Sequence, residues 1–255
     1  MKSMMSAILA LGVTAAASAS SVSLTFNGFG HGLTIKLNYA ANQGFGAANR
    51  SSGSFIAAKQ HRFSNTGTGQ NMRNYCVQVF ESVSPGNTYN YNEVNVNDVP
   101  DYPPGPGPMG VARGRLMRNL YSRFYSEVDG STDNVKCAAF ALLVWEISHE
   151  NFNSLGGGAT ATQILDAGAL NVGLGAFQVS SVSGLSGDNL AAYNLAQSWI
   201  ATMMADSSNL RWAGIYGLTN PTAQDHIGVL VPIPAPALLA GLGLVGVVSG
   251  RRRSR

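Results

Sequence analysis

Residues 132–151, TDNVKCAAFALLVWEISHEN, constrain this chain more than any other stretch. Val135, Ala138, Ala139, Leu142 and Trp145 recur at helical spacing. Leu143, Val144 and Ile147 widen the apolar stripe until it wraps nearly the whole helix. Such a helix has no face to offer water, so the rest of the fold has to be built around it. Thr132 and Asp133 are the N-cap candidates, because a short side-chain oxygen accepts from the free amides of the first turn. Asp133 also complements the positive end of the helix dipole. Ser148, His149, Glu150 and Asn151 return to polar character, which predicts a solvated end. Cys137 and Ala141, four residues apart, share one face.

The segments that must surround this helix are mostly strands. Residues 22–26 alternate apolar and polar, Asn27, Gly28 and Gly30 supply a turn, and residues 33–37 alternate again. Residues 55–63 read as a third strand. Residues 74–83, NYCVQVFESV, give the clearest strand, with Tyr75, Val77 and Val79 on one face and Cys76, Gln78 and Phe80 on the other. Ser84, Pro85, Gly86 and Asn87 then predict a hairpin to a strand over residues 88–99. The proline-rich residues 100–110 read as a surface loop. A helix is predicted over residues 111–125, apolar along Leu116, Leu120 and Phe124, with Arg113, Arg115, Arg118 and Arg123 on a solvated face. After the central helix, the glycines of residues 156–158 lack the Gly-Lys-Ser/Thr of a phosphate loop. Residues 163–182 are ambiguous, with a strand over 176–182. Residues 188–206 read as a helix, and 210–218 and 225–231 as strands. The expected fold is mainly β with packed helices (α+β).

The two ends have a different character. Lys2, an apolar run and Ala17-Ser18-Ala19 make a secretory signal peptide over residues 1–19, cut after Ala19. Residues 20–231 form the expected exported domain. Pro232, Pro234 and Pro236 set an extended segment, and an apolar run over 237–250 leads to Arg251, Arg252, Arg253 and Arg255. That run is shorter than the about 20 residues of a full spanning helix. The arginines would stay on the cytoplasmic side, leaving the body outside. The chain has 16 basic and 13 acidic residues. Without Lys2 and the four tail arginines the balance falls to −2. The basic pI therefore belongs to the ends and gives no ground for a nucleic-acid partner. In an oxidising compartment two cysteines most simply mean one disulfide.

The tail over residues 232–255, with its prolines, apolar run and arginine cluster, resembles the PEP-CTERM sorting signal. The resemblance implies an exosortase-type sorting enzyme as partner, acting after signal peptidase, and a transient membrane anchor through the C-terminal transmembrane helix. Ala235 stands where that family usually carries Glu. The body carries Tyr75-Cys76, SPGNTYNYNEV, AAFALLVWEI and Gln224-Asp225-His226. In this it resembles the thioester-domain-like family found on such proteins, which is similar to the thioester domains of surface adhesins. The resemblance implies a β-sandwich or barrel joined to a helical part. In that family a strand cysteine and a helix glutamine join covalently. Cys76 matches the cysteine, but the glutamine position falls on Ala141, which has no carboxamide, so the reactive chemistry is not carried over. Cys137 lies one turn before Ala141 on the same face. A Cys76–Cys137 disulfide would then replace the thioester as the strand-to-helix staple, with two separate buried thiols as the alternative.

Other chemistry has little support. His31, His61, His149 and His226 fit no HExxH pattern, and two cysteines with scattered histidines suggest no metal site. There is no Gly-x-Ser-x-Gly elbow. His149 and Glu150 are adjacent on a helix and diverge around its axis, and nothing places a partner carboxylate for Glu146. The expectation is an exported, non-catalytic protein of the cell surface or extracellular matrix, structural or adhesive, with no cofactor and no metal. Its ligands would be exopolysaccharide or other surface groups. One alternative is a covalent adhesin using another glutamine, such as Gln163 or Gln178. The other is a secreted hydrolase working through Glu146 or His149.

Overall fold

The computed structural model describes residues 20–39, 54–79, 81–100, 107–150, 152–156, 158–180 and 182–229. The export and sorting residues Ala17, Ala19, Pro232, Pro234, Pro236, Arg251, Arg252 and Arg253 lie outside the described residues. Among the described residues, no helix is long and apolar enough to cross a membrane. The protein is a mixed α+β fold in which a large antiparallel sheet packs against four α-helices.

The first strand, β1 (Ser21–Tyr39), is continuous, where the sequence suggested two strands and a turn. Gly28 and Gly32, at φ +113° and +141°, sit where its register against β2 (Ser54–Asn65) slips. The glycines absorb extra residues as bulges, which bend a strand rather than reverse it. A Cβ on Gly32 would lie 2.2 Å from the Ala58 carbonyl oxygen, so the bend admits only glycine.

The remaining strands are β3 (Asn71–Cys76), β4 (Thr88–Asn95), β5 (Phe177–Val179), β6 (Ile215–Thr219) and β7 (His226–Val229). β1 pairs with both β2 and β4, so the ring β1–β2–β3–β7–β6–β4 closes on itself as an antiparallel barrel. β5 adds to the far end of β1, at Leu37–Tyr39. The expected hairpin between residues 74–83 and 88–99 does not form. β3 ends at Cys76, and the chain beyond it is stitched to the approach to β7. Val77 N donates to Asp225 O (2.9 Å), Asp225 N to Gln78 Oε1 (2.7 Å), and Gln224 Nε2 to Gln78 O (2.5 Å). Val77 and Val79 are still buried there, which is why the sequence pattern runs on past the strand.

The helices are α1 (Gly110–Val128), α2 (Asn134–His149), α3 (Ala161–Asp166) and α4 (Gly187–Ala205). α2 starts where Asp133 Oδ1 accepts from the amides of Val135 and Lys136, at 2.8 and 3.0 Å. It is buried from Cys137 to His149, between α1 and α4 on one side and β1, β2 and β3 on the other. Its last turn is not solvated as expected: Ser148, His149 and Glu150 are all buried.

The arginines of α1 are not a solvated face either. Arg118 donates to the carbonyls of Ala213 and Ile215 (both 3.1 Å) and lies 4.2 Å from the Trp212 ring centroid. Arg115 donates to Leu210 O at 2.7 Å, and Arg123 pairs with Asp206 at 2.7 Å. A guanidinium carries five donors on a long stem, which suits it to fasten a loop's carbonyls to a helix. Here α1 holds the connection from α4 to β6 in this way.

Two cores result. The larger joins the helices to the outer face of the β1–β2 ribbon, through residues such as Ile35, Tyr75, Phe140, Trp145 and Trp199. The smaller fills the barrel with Leu24, Phe26, Phe63, Tyr91 and Leu218.

Candidate functional site

Cys76 lies where the two cores meet. Cys76 ends β3 and is paired with His226 of β7. Directly opposed residues of an antiparallel pair share one face, so the two side chains emerge together. His61 of β2 is opposite Asn74, two residues before Cys76, and therefore points the same way.

His226 Nε2 and His61 Nδ1 approach to 2.9 Å. Phe26 lies 5.3 Å from His61, while Phe63 and Tyr91 lie 5.0 and 5.7 Å from His226, all between ring centroids. Burial among these rings pushes His61 down to about 3. Burial, and then the neighbouring His61, hold His226 well below the usual histidine range. The pair is therefore neutral at physiological pH, with one proton shared along the N···N line.

Above the pair is a cavity of about 200 Å³, bounded by His61, Cys76, Glu81, Trp145 and Gln224 and rimmed by the exposed rings of Phe29 and Phe55. α2 supplies Trp145 to it. Ala141, one turn earlier, is 2 % exposed and presents only a methyl group. Burial raises the Cys76 thiol to about 12, with Trp145 pulling slightly the other way. A thiol held that high is protonated at physiological pH and is a poor nucleophile.

Cys76 and Cys137 are free, and both are buried. The expected staple is not formed, because α2 offers Cys76 a different residue. Trp145 lies against Cys76, whereas Cys137 lies against Tyr75, the preceding strand residue. Adjacent strand residues point to opposite faces. Cys137 and Trp145 are also about 12 Å apart along the helix at 1.5 Å per residue.

The other candidates are occupied structurally. Gln163 closes a capping box with Thr160 at the start of α3. Gln178 stands in β5 opposite Asn38. The glutamine that shares the cavity with Cys76 is Gln224, whose amide donates to Gln78 O. Glu146 is wholly buried, and its Oε1 accepts from Asn171 N at 2.7 Å while Oε2 has no partner. Burial, reinforced by nearby Glu150, raises its carboxyl well above the usual range. Glu150 accepts from the amides of Ala176 and Phe177. A Cβ on Gly175, at φ +107°, would lie 2.2 Å from Glu150 Oε2, so glycine is needed for that grip. His149 Nδ1 lies 2.7 Å from Ser148 Oγ, and burial pushes it down to about 3. These groups hold residues 171–177 over the end of α2. Among the described residues, no three or more His, Cys, Asp and Glu converge as a metal site.

The His61–His226 pair was not visible in the sequence. The two residues are far apart in the chain, and only the closing of the barrel brings them together. The local signal was a histidine at an inward position of an alternating strand, which carries no information about its partner. No family model, curated protein or solved structure matches this chain.

Proposed function

We propose that this is an exported, non-catalytic domain of the cell surface or extracellular matrix, acting by noncovalent contact in a structural or adhesive role. In this reading the body is a thioester-domain-like fold that has lost its acyl partner. The C-terminal signal is handled by an exosortase-type enzyme after signal peptidase has removed the leader. The observation that carries it is that α2 brings Trp145, and no carboxamide, against Cys76, while Ala141 is buried one turn earlier. The helix position that would supply the acyl group is a buried methyl, and the strand thiol is protonated by burial. The aromatic cage around His61 and His226 completes a site suited to packing rather than to turnover.

The test is the intact mass of the exported protein, before and after treatment with methylamine. The expected mass is that of the processed chain with two free thiols, unchanged by the amine. A deficit of one ammonia, restored as a methylamide on Gln224, would sink the passive reading in favour of a covalent adhesin. The same spectrum reads the termini. Mature ends near Ser20 and after Pro236 are expected, and an intact leader or tail would remove the sorting part of the proposal.

A further inference from the structure

A second, larger cavity of about 550 Å³ opens on the barrel wall beside β3, away from Cys76. Its chemistry differs from that of the first. Arg62 and Arg73 are directly opposed across the β2–β3 ladder, so two exposed guanidinium groups leave the same face side by side. Like charges at directly opposed positions destabilise a sheet. Only Asp129 answers them among the described residues. It lies 3.5 Å from Arg73, with both side chains about half exposed, and Arg62 has no ion-pair partner among the described residues. An exposed pair at that distance contributes little. The arrangement spends sheet stability on uncompensated positive charge at the mouth of a cavity.

The second observation is an amide on the same face. Asn71, two residues before Arg73 and opposite Ser64, leaves the β2–β3 ladder on the side of the two arginines and is exposed there. The rest of the lining is mixed. Asn27 adds another amide, and Phe63, Met72 and Tyr125 add apolar surface.

We infer that this cavity binds a carboxylated sugar unit of an acidic polysaccharide. A carboxylate accepts the two forks of Arg62 and Arg73 in a geometry a guanidinium favours. An amide that both donates and accepts is the natural partner of a sugar hydroxyl. The cavity has the size of small-molecule sites, roughly 300–1,000 Å³, and a lone inorganic anion would leave most of it empty. This deepens the proposed surface role by naming a ligand class and rests on that role only for where the polymer is met. A thioester found by mass would end the passive reading without touching the binding result, and a failed titration would leave the mass result standing.

The probe is trigalacturonate, titrated into the folded protein and followed by amide chemical shifts, with maltotriose as the neutral control. Saturable binding is expected, with shifts in β2, β3 and residues near Asp129. The double variant R62Q/R73Q, at exposed positions, should weaken binding about tenfold or more, the loss of charge-assisted hydrogen bonds. D129N should tighten it about two- to threefold by freeing Arg73, within the range of exposed ion pairs. No saturation up to about 10 mM, well above the affinity of a usable site, would overturn the inference. Equal binding of maltotriose, undiminished binding by R62Q/R73Q, or displacement by inorganic phosphate at the same concentration would each do so as well.

Discussion

The barrel interior and the helical core both bury titrating groups, but not the same mixture of them. The barrel holds the bases His61 and His226, which burial keeps uncharged by lowering their affinity for protons. The helical core holds both kinds: Glu146, which burial keeps uncharged by raising it, and His149, which burial lowers to about 3. In both places the low-dielectric interior refuses the charge, but the pH at which refusal becomes costly differs. The cores also differ in composition. α2 is surrounded by aliphatic and aromatic side chains, whereas the barrel has aromatic rings around a polar pair. Acid therefore weakens both cores, through His61 and His226 in the barrel and His149 at the end of α2, while Glu146 makes the helical core sensitive to alkali as well.

The largest expected effect tests whether the two cores are one folding unit. Trp145→Ala removes a fully buried indole at the junction and should cost about 3–5 kcal/mol in denaturant unfolding. A single transition, seen alike by tryptophan fluorescence and by histidine resonances of the barrel, is expected. Separate transitions would split the comparison into two domains.

The next effect is in pH. An unfolded His protonates below about 6.5, but His61 in the fold does not until about 3. The unfolded state therefore binds more protons in that window, and stability falls as pH drops from about 6.5 towards 3, by up to a few kcal/mol. The double variant H61L/H226L should make this acid limb shallower, leaving the share that comes from buried His149. Glu146 acts in reverse: its folded affinity for the proton is raised, so its contribution is full below about 4.5 and is lost as pH rises. Glu146→Gln keeps the acceptor for Asn171 and should gain about 1–2 kcal/mol over the parent at pH 8, and little at pH 4. Thermal unfolding across pH 3–9 reads both limbs. If H61L/H226L left the acid limb as steep as before, the barrel would not be its source.

Arg118→Ala removes a clamp rather than a core. The loss of two charge-assisted bonds to Ala213 and Ile215 should cost about 2 kcal/mol. Faster hydrogen exchange confined to the segment leading into β6 is expected, with the β1–β2 ribbon unaffected. The smallest effect is Asp133→Ala, about 1 kcal/mol for a lost N-cap. It should move both cores equally, since α2 belongs to the interface between them.

Most of this fold was legible because its elements carry strong local signals. α2 was evident from its apolar periodicity, and its cap from Asp133. α1, α4, β2, β6 and β7 were readable in kind, though their ends shifted by a few residues. The errors came where a local pattern has two physical causes. Asn27, Gly28 and Gly30 read as a turn, but within a continuous strand the slips at Gly28 and Gly32 are bulges. Val77 and Val79 read as strand, but their burial comes from loop packing. The arginines of α1 read as solvated because charge does not announce the carbonyls it will meet. Cys137 and Cys76 could be placed on the right elements, but not at the right height along the helix. His61 with His226, and Arg62 with Arg73, are products of register, which the strands themselves do not encode locally.

The last described strand, β7, is inserted between β3 and β6, and the ring cannot shut without it. In a chain emerging N-terminus first, β3 and β4 must each wait with an unpaired edge until residues beyond 215 arrive. Such edges recruit foreign strands, and closure between ends so far apart in sequence is slow. A chain interrupted before its final strand would thus be an aggregation hazard rather than a smaller version of the same protein, and a holding chaperone would serve it best during exactly that interval of synthesis.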